Sequence, residues 1–199
     1  MISRLFFVAL LVLFTCSCAE DDAKREAARL KNLEKTELVF ETINKSWQFS
    51  PRALNPEAQS LVNNWAEWRN FLAELRQKPT TSIGAFRSKA KTLSKKVRDL
   101  NNNIPPKLAN PQVKSRIAIL TTQINSLDLY VNLDDVPAEK VVALIPEINT
   151  AVASLQLQFE EIIRKEKIPT EEGESDMIRM LDTSRAIPAS KPLNLFPKN

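Results

Sequence analysis

Apolar residues recur along this chain at alternating steps of three and four, and that spacing commits it to helices. Leu61, Trp65, Trp68, Leu72 and Leu75 step by 4, 3, 4 and 3. The same rule governs Ile83, Phe86, Ala90, Leu93, Val97 and Leu100, and then Val113, Ile117, Leu120, Ile124, Leu127 and Val131. It holds again for Val141, Ile145, Ile148, Val152, Leu155, Phe159 and Ile162. Residues so spaced fall on one face of an α-helix, so each segment carries an apolar stripe that must find a partner. An earlier segment, from about Asp22 to Gln48, carries Leu33, Phe40, Ile43 and Trp47 on its stripe.

Prolines punctuate these segments. Asn55-Pro56-Glu57 and Asn110-Pro111 each read as an N-cap followed by Pro at the first helical position, where its missing N–H costs nothing. Pro79, Pro105-Pro106 and Pro137 mark further joints. Pro146 lies inside the last pattern, where it should kink the helix or split it. Segments of about 22 to 29 residues would be roughly 33 to 43 Å long. Similar lengths and short links favour antiparallel packing at shallow angles. The expected fold is therefore all-α: an elongated up-down four-helix bundle with an additional N-terminal helix and a mostly irregular C-terminal tail.

Composition agrees. Two Gly in 199 residues leave little for hairpins and bulges, which argues against a β-rich fold. The chain has no His, so imidazole is excluded as general base, zinc ligand or haem ligand. Gly84 and Gly173 stand alone, so no Gly-rich loop cradles phosphate. Ser88-Lys89-Ala90-Lys91 resembles the Ser-x-x-Lys of penicillin-binding proteins. The companion Lys-Thr-Gly of that family is missing, since Lys91-Thr92 runs on into Leu93. The inventory points away from an enzyme and needs no cofactor or metal.

The first 22 residues carry a different signal. Arg4 precedes an unbroken apolar run, Leu5 to Phe14, which is too short to span a bilayer. Thr15-Cys16-Ser17-Cys18 follows, and then Ala19 and the acidic Glu20-Asp21-Asp22. A basic start, a short apolar stretch and a small residue before a cut form a secretory signal. Ser17-Cys18 resembles the cleavage site of bacterial lipoproteins, and Thr15-Cys16 fits it less well because Thr is bulkier than the usual residue. That resemblance implies a signal peptide over 1–17 and lipid on Cys18, the single Cys left after cleavage. Three acyl chains there would exceed what stable anchoring requires. Ala19 looks like an outer-membrane sorting residue, and the acidic run resembles the surface-export signal of Bacteroidota lipoproteins. The implied location is the bacterial outer membrane, on either its periplasmic or its cell-surface face. The mature domain is similar to all-helical envelope lipoproteins, to which no activity attaches. The expected layout is a signal over 1–17, a helical domain over 18–167 and a tail over 168–199.

Two regions stand out as partner sites. Arg87, Lys89, Lys91, Lys95, Lys96 and Arg98 load one helix with positive charge, in a chain whose net charge is only +4. Such a face attracts anionic partners, lipid headgroups foremost; nucleic acid is not expected in the envelope. The bland reading is a solvated outer face. In the tail, Met177, Ile178, Met180 and Leu181 give an apolar side to a short helical candidate over 176–183, suited to gripping a partner groove. Trp65 and Trp68 lie on a stripe and belong in a core, whereas Trp47 and Phe49 stand at a helix end, where exposure is expected. The functional expectation is a non-enzymatic lipoprotein acting through an envelope protein partner. The alternative is a bundle that binds an anionic or apolar ligand such as lipid.

Overall fold

The computed structural model describes the backbone of residues 2–169 and of Arg179, and the side chains of residues 22–169 and of Arg179. It is all-helical over the described residues: α1 (Ile2–Ser46), α2 (Pro56–Val62), α3 (Ala66–Arg76), α4 (Ile83–Asp99), α5 (Pro111–Asn132) and α6 (Ala138–Glu166), with a 3₁₀ turn at Pro106–Leu108. The chain divides into two compact units, Met1–Ile162 and Ile163–Asn199. In the second, residues 164–169 and Arg179 are exposed, and Arg179 is helical.

The caps fall where the sequence placed them. The Asn55 side chain accepts from the Ala58 N–H at 2.8 Å, and the Asn110 side chain accepts from Val113 at 3.0 Å, with Pro56 and Pro111 opening α2 and α5. Ser82 caps α4 through the Ala85 N–H. The α5 stripe is buried throughout, from Val113 to Val131. On α4, Phe86, Ala90, Leu93, Val97 and the following Leu100 are buried; on α6, Val141, Ile145, Ile148, Val152, Leu155 and Phe159. α4 packs closely on α1, α3 and α5, which makes it the central helix. Ser94, 3 % exposed, sits on that helix and donates to Asn125 Oδ1 on α5 at 2.7 Å, which satisfies a hydroxyl that burial would otherwise penalise.

Several expectations need correction. The single helix expected after Pro56 is two helices, α2 and α3, separated at Asn63–Trp65. Asn63 and Asn64 are poor helix formers that compete for backbone bonds. Trp65 takes an extended conformation before α3, and its indole N–H donates to Asn102 O at 3.2 Å. Val62 and Phe71 are buried where Leu61 and Leu72 are only half-buried, while Trp65, Trp68 and Leu75 keep the expected face. Trp47 is buried, at 2 % exposure, in edge contacts with Phe49 and Phe86. Trp65 and Trp68 are core residues, as expected, and both pack on Phe159. α6 is not split at Pro146.

α1 departs furthest. It begins at Ile2 and continues to Ser46, so its backbone is one helix through the segment read as a signal and onward. Only its last turns join the core, through Ile43 and Trp47, with Phe40 half-buried against Phe86. From Asp22 to Leu38 every residue is exposed, and Leu33 is 56 % exposed although it lies on the stripe.

The stretch between α1 and α2 has no helix of its own, yet α6 fixes it. The Asn149 amide donates to Gln48 O at 2.9 Å and its oxygen accepts from the Ser50 N–H at 3.2 Å. Gln156, buried, donates to Arg52 O at 2.7 Å. Glu160 accepts from the Asn55 N–H and pairs with Arg52. Backbone groups that lack a helical partner are thus met by side chains along one side of α6.

Candidate functional site

The basic helix is central rather than peripheral, and its charges divide accordingly. Arg87 reaches the end of α5, where its Nε donates to Val131 O at 3.0 Å and its Nη2 to Leu133 O at 3.1 Å. Carbonyls at a helix C-terminus lack helical donors and carry partial negative charge, so a guanidinium suits them. Lys89 forms an ion pair with Glu74 on α3 and donates to Gln77 Oε1 at 3.3 Å. Lys96 approaches the other Glu74 oxygen at 3.4 Å. Burial pushes the Glu74 carboxyl up, but the hydrogen bonds and charges of Lys89 and Lys96 outweigh it and hold the group below its ordinary range. Three of the six cations therefore serve helix packing.

Lys91, Lys95 and Arg98 remain exposed. They step by 4 and 3 along one side of α4 and border an open groove of about 750 Å³ against α3. Arg98 Nε donates to Ser94 O on its own helix, while Lys91 and Lys95 make no ion pair among the described residues. Glu67 and Asp99 line the same groove, so its charge is mixed rather than uniformly positive. Ser88 and Lys91 also border it, but both lie on a helix, with no strand among the described residues to supply the remainder of a Ser-x-x-Lys site.

Cys18 falls within α1, and its side chain lies outside the described residues. Met177, Ile178, Met180 and Leu181 also lie outside them. Among the described residues no group of Cys, Asp and Glu comes together as a metal-holding cluster, and no helix is long and apolar enough to cross a membrane.

A second groove, between α5 and α6, is absent from the sequence reading. It holds about 380 Å³ and is lined mainly by apolar surface, with Ile119, Pro146 and Ala151 forming its floor. Ile119 is 53 % exposed and lies off the buried stripe of α5. Arg116 stands at one end, where its Nε donates to Ser154 Oγ at 3.2 Å and its Nη1 to Gln112 O at 3.3 Å. Glu147 and Gln123 line the groove as well, and the Gln123 Oε1 meets no donor. An off-stripe Ile and a Pro inside a helical pattern were the only sequence signals for it.

Comparison with protein-family models, curated proteins and solved structures finds no match to this chain. Its function must be read from its own residues.

Proposed function

We propose that this protein is a bacterial lipoprotein anchored through lipid on Cys18 at the outer membrane. It acts without catalysis, as an accessory or scaffold subunit that meets an envelope protein partner. The observation that carries this reading is the form of α1. One unbroken helix links the Cys18 region to the packed body; its residues from Asp22 to Leu38 are all exposed, and the Lys35–Asp135 ion pair at 2.8 Å lies beyond the stretch Asp22 to Lys31. A spacer between an anchor and a working domain needs that form. At about 1.5 Å per residue, the stretch from Asp22 to Lys31 spans roughly 15 Å. The body is read as a four-helix bundle in which α2 and α3 together form one arm beside α4, α5 and α6, and α1 docks by its final turns.

Continuous large side chains along the stripes support a filled core, and the cavities described above are surface grooves. That favours partner contacts over an enclosed ligand chamber. The test is palmitate labelling in a lipoprotein-processing host. The Cys18→Ala chain should lose label while Cys16→Ala keeps it. The wild-type chain crosslinked in native membranes should then yield a defined envelope protein. Label retained by Cys18→Ala and lost by Cys16→Ala would move the anchor, and a wild-type chain that takes up no label would remove it.

A further inference from the structure

We propose that the groove between α5 and α6 binds a short apolar peptide, about three residues long, as a zwitterion, carboxylate toward Arg116 and ammonium toward Glu147. The two helices are joined by residues 133–137, and the Arg116–Ser154 bond sets their register. Arg116 and Ser154 mark one end of the groove. Glu147 lies seven residues before Ser154 on α6, about 10 Å away along the helix axis. Between them the floor is Ile119, Ala151 and Pro146.

Charge singles this groove out. Arg116 hydrogen-bonds only a hydroxyl and a carbonyl, both neutral, and makes no ion pair among the described residues. Its Nη2 is uncommitted, and a guanidinium matches the planar geometry of a carboxylate. Glu147 makes no ion pair among the described residues. The α3–α4 groove also holds cations unpaired among the described residues, Lys91 and Lys95, but its lining residues are all polar or charged, so it offers no apolar floor between them. Two uncompensated charges of opposite sign thus flank an apolar trough. An extended chain advances about 3.4 Å per residue, so three residues bridge roughly 10 Å. The ammonium end would also bring donors to the neighbourhood of Gln123, whose Oε1 needs one and whose side chain is flexible enough to turn toward it. A fatty acid satisfies Arg116 and the floor but leaves Glu147 without a partner.

The inference goes beyond the anchoring and scaffold reading and does not depend on lipid attachment, so a failure of labelling at Cys18 leaves it standing. The test titrates the tripeptide Leu-Ala-Leu into the full-length chain in lipid-free solution by calorimetry. Its N-acetylated form, its C-amidated form and octanoate are titrated in parallel. The free tripeptide should bind, and each capped form should bind about tenfold more weakly. Arg116→Gln should reduce affinity for the free and N-acetylated peptides but not for the amidated one, and Arg116→Lys should restore part of it. Glu147→Gln should show the converse pattern, and Lys95→Gln no change. Unchanged far-UV circular dichroism of the variants keeps these readings interpretable. Absence of binding at about 10 mM peptide, equal binding of the capped forms, or octanoate binding as tightly as the peptide would each overturn the proposal.

Discussion

Glu160 on α6 accepts the backbone N–H of Asn55 at 2.9 Å, and Asn55 is the residue whose own side chain caps α2. One carboxylate thus orients a cap more than one hundred residues earlier in the chain. Its second oxygen pairs with Arg52 at 3.0 Å. Removing the acceptor should therefore cost more than removing the charge. Glu160→Gln keeps an oxygen for Asn55 and loses only a partly exposed ion pair, a change of about 0–1 kcal/mol. Glu160→Ala strands the Asn55 N–H as well and should cost about 1–3 kcal/mol. Urea unfolding followed by circular dichroism separates the two, and equal losses would mean that the backbone bond contributes nothing.

The Glu74 cluster makes a statement about pH. Its folded carboxyl titrates below the unfolded one. A depressed carboxylate contributes stability that is present above the unfolded value, near 4.3, and that disappears as pH falls through the folded value. Glu74→Gln should accordingly destabilise the protein at pH 7, by about 1–3 kcal/mol, since Lys89 then lacks its counter-charge in a mostly buried place. The gap between wild type and variant should close on acidification below about pH 4. Denaturant midpoints measured from pH 3 to pH 7 check both the size and the sign.

Position on a stripe and burial come apart in α1, and substitution should expose the difference. Leu120→Ala, Ile148→Ala and Ile43→Ala remove fully buried side chains and should each cost about 2–5 kcal/mol. Leu33→Ala and Lys95→Ala act on exposed positions and should stay within about 0.5 kcal/mol. Thermal or urea unfolding of the five variants decides it, and a large loss at Leu33 would mean that α1 is covered along its length.

The sequence revealed most where a helix buries one uninterrupted face. Every stripe position of α5 is in the core, because 22 residues without a break keep one phase. α3 shows a finer limit. From Trp68, a step of three to Phe71 and a step of four to Leu72 both stay on one face, and the fold buries Phe71 and leaves Leu72 half-buried. Periodicity names the face that would be buried, not whether a neighbour exists to bury it, so Leu33 and Ile43 look alike in sequence and differ in the fold. Trp47 was read as exposed because it lies at a helix end, but Phe86, 39 positions on, closes over it. The basic helix shows the same limit. Its charge is plain in the sequence, but the carbonyls and the Glu74 carboxylate that take up half of it come from other helices. The α5–α6 groove depends on how those two helices are spaced and paired, which no local pattern encodes.

The continuity of α1 couples height to heading. A flexible tether would let the body face any direction, but a helix is a screw. Each residue added between Asp22 and Lys31 would lift the body by about 1.5 Å and turn it by about 100°. Seven added residues would raise it by about 10 Å and return it nearly to its starting bearing, whereas two would turn its grooves to the far side. On the anchored reading proposed above, the exposed stretch of α1 would work as a dial as well as a spacer, setting which surface of the protein looks toward its neighbours.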